Sequence, residues 1–140
     1  MLSFFTKTLK FFFSTPIVIE ESAIQEPFPV SEHNTQFLKQ NPLAVLNVLR
    51  DLQHNNAALR VSWGSRQFIS RILEVSQQRL IIDFGSREDD NNAAVTARNI
   101  AMVAETNGAK IEFTVPQMQV ENYQGLPAFV MPTPLAVWCI

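Results

Sequence analysis

The hydrophobic pattern changes its period once along this chain. Between Pro42 and His54, Leu43, Leu46, Leu49 and Leu52 recur at helical spacing, and Val45 and Val48 widen the apolar face. Asn47, Arg50, Asp51 and His54 take the opposite side, so the stretch predicts an amphipathic helix laid against a sheet. Asn41 is a good N-cap residue, and Pro42 suits the first helical position, where its missing N–H costs nothing. His54-Asn55-Asn56 closes the helix. Residues 35–41 read as one additional helical turn with Phe37 and Leu38 as its apolar contacts.

From Leu59 the period is two. Leu59, Val61 and Trp63 alternate with Arg60 and Ser62, and Gly64-Ser65 supplies a turn. A second strand is expected over Gln67–Val75, with Ile69, Leu73 and Val75 on one face, and a third over Arg79–Phe84. Gly85–Asn92 is polar and charged and reads as a surface loop, followed by a short helical turn at Ala93–Ala97. Ile100–Glu105 and Lys110–Val115 flank Thr106-Asn107-Gly108-Ala109, the clearest hairpin in the chain. Its Asn-Gly pair suits the two central positions of a type I′ turn, both of which need positive φ. Leu126–Met131 and Leu135–Ile140 are the last strands, with Pro127, Pro132 and Pro134 expected to hold them to edges or bends. One long helix followed by six or seven strands, without βαβ spacing, favours an antiparallel barrel or sandwich.

Residues 1–31 stand apart. Five of the 11 Phe residues crowd into the first thirteen positions. Lys7 and Lys10 interrupt this apolar run, so it falls short of the roughly 18 residues of a spanning helix. The lysines also lie inside the run, where a secretory signal needs its charge ahead of it. Pro16, Pro27 and Pro29 with Glu20, Glu21, Glu26 and Glu32 then resist regular structure. The expectation is an extension and linker over 1–31 and one domain over 32–140. An amphipathic membrane anchor in residues 1–13 is a rival reading.

Composition adds exclusions. The 140 residues carry a net charge of −2, and Arg60, Arg66, Arg71 and Arg79 are dispersed among apolar positions instead of forming a basic stripe. Nucleic acid is therefore not the expected partner, since its affinity comes from clustered cations at phosphates. Metal binding fares no better: His33 and His54 are the only histidines, Cys139 is the only cysteine, and none is spaced as a ligand set. Cys139 reads as a small apolar residue ending a strand, which fits a reducing, cytoplasmic setting. The run Arg87-Glu88-Asp89-Asp90-Asn91-Asn92 lacks the alternating ligands and central glycine of a calcium loop. Carboxylates such as Asp83 and Glu105 are placeable opposite one another across strands, an arrangement that specifies no chemistry. Ser62 and Ser65 sit in no nucleophile motif, and the four glycines are too dispersed to cradle a phosphate. No enzyme and no catalytic residue is expected. Trp63, at a strand end beside Gly64, and Trp138, near the terminus, are the candidate surface contacts.

Several strings carry a family resemblance. Gln36-Phe37-Leu38-Lys39-Gln40-Asn41-Pro42-Leu43-Ala44-Val45-Leu46 followed by Val48-Leu49-Arg50-Asp51-Leu52 resembles the start of YcgR-type flagellar brake proteins. So do Leu80-Ile81-Ile82-Asp83-Phe84-Gly85-Ser86 and Gly108-Ala109-Lys110-Ile111-Glu112-Phe113-Thr114-Val115, with Leu126-Pro127-Ala128-Phe129 and Trp138 continuing in order. The resemblance covers residues 32–140 and implies the amino-terminal (PilZN) domain of that family, an antiparallel split β-barrel. In the full-length family it is followed by a PilZ domain that binds cyclic di-GMP, and the loaded protein slows the motor and biases its rotation. The implied partners are that PilZ domain and the rotor or stator proteins, at the flagellar basal body in the cytoplasm. The family's ligand arginines lie in an Arg-x-x-x-Arg segment at the domain junction, backed by an Asp/Asn-x-Ser-x-x-Gly motif. This sequence reaches Ile140 where that junction would begin, Arg66 and Arg71 are five apart, and the second motif does not occur. No cyclic di-GMP residue is therefore assigned, and the chain alone is expected to bind the dinucleotide weakly or not at all. A flavin-binding split-barrel protein is the other rival, on fold analogy alone.

Overall fold

The computed structural model describes residues 37–140. They open on a two-residue strand, Leu38–Lys39 (β1), where the sequence suggested the tail of a helical turn; Thr35 and Gln36 lie outside the described residues. The helix α1 runs Pro42–His54 as expected. Asn41 Oδ1 accepts from the Leu43 and Ala44 amides at 2.9 and 3.2 Å, satisfying two donors the helix cannot pair internally. Val45, Leu46, Leu49 and Leu52 are buried, while Leu43 is 60% exposed and lies off the core face.

Ten strands are present among the described residues, against the six or seven expected. After β1 come β2 (Leu59–Trp63), β3 (Arg66–Ser70), β4 (Ile72–Val75) and β5 (Arg79–Asp83). They are followed by β6 (Ile100–Thr106), β7 (Ala109–Val115), β8 (Gln119–Tyr123), β9 (Leu126–Pro132) and β10 (Val137–Cys139). All pairings are antiparallel. They build a four-stranded sheet in the order β4-β5-β9-β8 and a six-stranded sheet in the order β1-β10-β7-β6-β2-β3. The pairing does not run around a closed barrel. The fold is mainly β, two antiparallel sheets with two helices.

Three differences from the sequence reading concern the strands. The run 67–75 is not one strand: it breaks at Arg71, with β3 ending in the large sheet and β4 beginning in the small one. Strands that change sheets in this way make the corners of a sandwich. Phe68, Ser70 and Ile72 keep pointing inward across the break while Ile69 is 58% exposed, and an irregularity in the pairing between Ile72 and Glu74 then resets the alternation so that Val75 also faces in. The second difference is β9. It carries Pro127 and Pro132, yet it is a central strand, paired with β5 over Ala128–Pro132 and with β8 over Leu126–Val130. Each proline falls where one of the two neighbours has already ended, so a missing N–H does not interrupt a doubly paired stretch. Third, β8 went unrecognised. Its hairpin turn places Gln124 and Gly125 at φ 52° and 89°, the conformation that Asn107 and Gly108 adopt at 51° and 78° in the predicted β6–β7 turn. Glutamine at the first position gives no turn signal.

The segments expected as a loop over 85–92 and a turn over 93–97 instead share one helix, α2, Glu88–Ala94, with non-helical residues on either side. Asp90 and Asn91, read as solvated, are each only 8% exposed. Asn91 acts as a clasp: its Oδ1 accepts from the Gly85 amide at 2.7 Å and its Nδ2 donates to the Gly85 carbonyl at 3.0 Å. Gly85 is needed there because a Cβ would lie 2.6 Å from Cδ2 of the buried Phe68 ring. Phe68 in turn meets Phe129 at 5.9 Å, and Phe84 stacks on Phe129 at 4.5 Å. Gln53 of α1 donates to the Leu73 carbonyl at 2.8 Å, tying the helix to β4.

Two substitutions test this account of the core. Gly85→Ala should lower unfolding stability by about 1–3 kcal/mol through overpacking against Phe68. Asn91→Ala should cost a similar ~1–3 kcal/mol by orphaning both Gly85 backbone groups. Urea denaturation followed by tryptophan fluorescence measures both, and a change within ±0.5 kcal/mol for either refutes its part.

Candidate interaction surface

Alternation along the strands of the large sheet leaves one side of it outside the core. Ile100, Met102, Ala104, Ile111, Phe113, Val115 and Val137 face inward and are buried. The residues between them face out. Registers across the sheet align these into a single row: Leu38 opposite Trp138, Trp138 opposite Glu112, Glu112 opposite Val103, Val103 opposite Arg60, and Arg60 opposite Ile69. A second outer row runs Thr114, Ala101, Ser62 and Gln67. Directly paired residues share a face and stand close enough for their side chains to interact.

The two candidate tryptophans fall on opposite sides of this sheet. Trp138 is on the outer face, half-buried beside a shallow depression of about 290 Å³ bounded by Ala101, Val103, Glu112, Thr114 and Ala136. Trp63 shares the inward side with Leu59 and Val61. It packs edge-to-face on Phe68, with ring centroids 5.9 Å apart and planes at 77°, and only part of it reaches solvent. Trp63 and Trp138 therefore do not form a common surface. Cys139 ends β10, partly buried against the core, and burial pushes its thiol above the ordinary range while Lys39 pulls weakly the other way.

Most of the arginines are engaged with carboxylates. Arg66 meets Asp90 at 2.9 Å and Asp89 at 3.6 Å, Arg71 meets Asp83 at 3.7 Å, Arg79 meets Glu121 at 2.8 Å, and Arg87 meets Asp89 at 3.2 Å. These pairs are distributed over both sheets and α2, so the guanidinium groups do not converge as a diphosphate ligand needs. Arg60, in contrast, forms no ion pair with a described residue. Asp83 and Glu105, placeable opposite one another from the sequence, do not meet, because they belong to different sheets: Asp83 lies opposite Ala128 and Glu105 opposite Lys110. Sequence reasoning also missed that Glu112, Val103, Arg60 and Ile69 lie in one outer row with Trp138. Their alternation was visible, but the strand order that aligns them was not.

The architecture and this surface can be set beside known proteins. The family model described as "Flagellar regulator YcgR, PilZN domain" matches residues 37–139. The chain belongs to the PilZN family. It is 52% identical over 111 residues to the flagellar brake protein YcgR of Salmonella typhimurium, covering 79% of this chain and 46% of that protein. The crystal structure of the YcgR-N domain of YcgR from Escherichia coli is 50% identical, with a TM-score of 0.73 over 75% of this chain and 96% of that one. The crystal structure of E. coli YcgR in complex with c-di-GMP is also 50% identical, with a TM-score of 0.75 over 76% of this chain and 47% of that one. The chain thus spans about half the length of the curated relatives it matches. Among the described residues no helix is long and apolar enough to cross a membrane, and the anchor considered for residues 1–13 lies outside them.

The raised Cys139 thiol gives a direct test. Its reaction with a disulfide reagent at pH 8 should be slower than that of free cysteine and should still be rising above pH 9.0, the ordinary value. A rate that levels off below that pH would contradict the desolvation argument.

Proposed function

We propose that this chain is the amino-terminal interaction domain of a cyclic di-GMP-responsive flagellar brake, acting by contact and not by catalysis. The observation that carries the reading is the PilZN match over residues 37–139, joined to relatives named as flagellar brake proteins, one of them crystallised with the dinucleotide. In this reading cyclic di-GMP is bound by the half of the relatives that lies beyond the matched region. The domain's task is to meet that PilZ half and the rotor or stator proteins at the flagellar basal body, on the cytoplasmic side. The outer face of the large sheet, including Trp138, is the contact surface we assign. It combines a half-buried aromatic, a flanking depression and an uncommitted cation, the ingredients of an interface anchor. Arg66, Arg71, Arg79 and Arg87 are committed to intramolecular pairs, which supports a protein-contact role over phosphate binding.

A domain exchange tests the reading. The chain, joined to the cyclic di-GMP-binding half of E. coli YcgR in place of that protein's own amino-terminal half, should restore braking to a strain lacking YcgR. Swimming colonies should shrink when cyclic di-GMP is raised, and Trp138→Ala in the fusion should relieve the effect. A fusion that folds and binds the dinucleotide but never slows swimming would refute the proposal. Calorimetry of the isolated chain should give no micromolar binding of cyclic di-GMP; such binding would show that the ligand site lies in this half.

A further inference from the structure

Asn107-Gly108 and Gln124-Gly125 make two hairpin turns on nearly the same backbone, with φ of 51° and 78° in the first and 52° and 89° in the second. One methylene in the side chain separates their chemistry. The Cγ of an asparagine closes a five-membered ring with the next residue's amide nitrogen, whereas a glutamine must fix one more torsion to close a ring of six. Asn107 is the only asparagine of the chain followed by glycine. A glycine nitrogen is the least hindered of attacking amides, since no Cβ crowds it. Both residues are exposed. The side-chain amide of Asn107 makes no hydrogen bond among the described residues, whereas those of Asn41, Asn56, Asn91 and Asn122 are engaged. The Gly108 N–H donates to no described backbone group either, because ladder pairing begins one step outside, at Thr106 opposite Ala109. Nucleophile and electrophile are adjacent in sequence, unengaged and open to water.

We propose that Asn107 is a site of spontaneous deamidation, a modification with water as its only co-reactant that places a carboxylate at the tip of the β6–β7 hairpin as the protein ages. The Gly108 nitrogen gives its proton to water and attacks Cγ of Asn107. The side-chain Cγ–N bond breaks, ammonia leaves with the returned proton, and a five-membered cyclic imide remains. Water then opens the imide at either carbonyl. Opening at Cγ gives aspartate, and opening at the main-chain carbonyl gives isoaspartate, with an extra methylene in the backbone. Either route exchanges an amide nitrogen for an oxygen and adds one negative charge to a chain of net charge −2. The two products differ in consequence. Asp-Gly suits a type I′ turn as Asn-Gly does, so the aspartyl chain keeps its hairpin. The isoaspartyl link lengthens the turn and upsets the pairing of Thr106 with Ala109 and of Glu105 with Lys110. Lys110 exchanges backbone hydrogen bonds of 2.9 and 2.8 Å with Ile140, so the disturbance reaches the end of β10. The inference depends on neither the flagellar assignment nor the contact face.

Ageing the full 140-residue chain in neutral buffer, with peptide mapping by mass spectrometry, decides the matter. Asn107 should gain about 1 Da at a rate at least about tenfold that of the exposed Asn55 and Asn92, which lack the glycine. Gln124, in the matching turn, is the internal control and should stay intact. An isoaspartyl methyltransferase should load methyl groups from S-adenosylmethionine onto the aged chain and not onto the fresh one. The rate should rise with pH, since the attacking amide must shed its proton. Asn107→Gln should cut conversion at this turn at least about tenfold, and it should fold, because Gln-Gly already makes the β8–β9 turn. Asn107 converting no faster than Asn55 or Asn92, or an N107Q chain that accepts methyl groups as fast as the wild type, overturns the inference. A gain in mass without methyl acceptance overturns the imide step and the inference with it.

Discussion

Phe68 hangs from the six-stranded sheet and Phe129 from the four-stranded one, and their rings meet 5.9 Å apart in the space between. Much of the surrounding structure follows from accommodating that contact. Phe84 stacks on Phe129 from the strand's exit, Trp63 closes on Phe68 edge-first, and Gly85 leaves room for the Phe68 ring that any side chain would fill. Offset and edge-to-face arrangements of this kind contribute beyond the apolar area they bury. The clasp of Asn91 on both backbone groups of Gly85 then fixes the chain at its tightest point and explains why α2 sits where it does.

Once the two inner faces are satisfied by one another and by α1, the outer face of the large sheet is defined by elimination. Strand alternation exports Trp138, Val103 and Ile69 along with Glu112 and Arg60. Apolar residues on an otherwise polar sheet face are a cost that water does not relieve, and an aromatic among them is the usual mark of a contact site. The four-stranded sheet handles its own outer side differently. There Arg79 and Glu121 join at 2.8 Å from strands on either side of β9, and Ile81 and Ala128 are already buried. The contrast between the two outer sides is what directs attention to the larger sheet.

Membership of the PilZN family places this architecture beside that of the flagellar brake proteins it resembles, and the arrangement of charge bears on the role proposed for it. Guanidinium groups that are spread out and paired with carboxylates suit a scaffold. Recognition of a diphosphate needs several of them converging on open space. In the function proposed above, this domain works by surfaces meeting, with shape, apolar exposure and the single cation of the outer row setting the contact.

The sequence by itself determined α1, with its Asn41 cap and its buried Val45, Leu46, Leu49 and Leu52, because capping and helical period are local properties. It determined the β6–β7 hairpin for the same reason, since Asn107 and Gly108 carry the turn in their own backbone preferences. The order of the family strings was equally legible. What only the tertiary structure decided was everything that depends on which strands become neighbours. The break at Arg71 is one case, because a continuous strand-like run over 67–75 does not reveal that its halves serve different sheets. The central place of β9 is another, because whether a proline is tolerated depends on where the adjacent strands end. The α2 segment is a third: Asp90 and Asn91 look solvated until Arg66 and Gly85 are brought to them. Period two assigns a residue to a side of its own strand, but it carries no information about strand order. The row from Leu38 to Ile69 therefore exists only once non-local pairing has set six strands side by side.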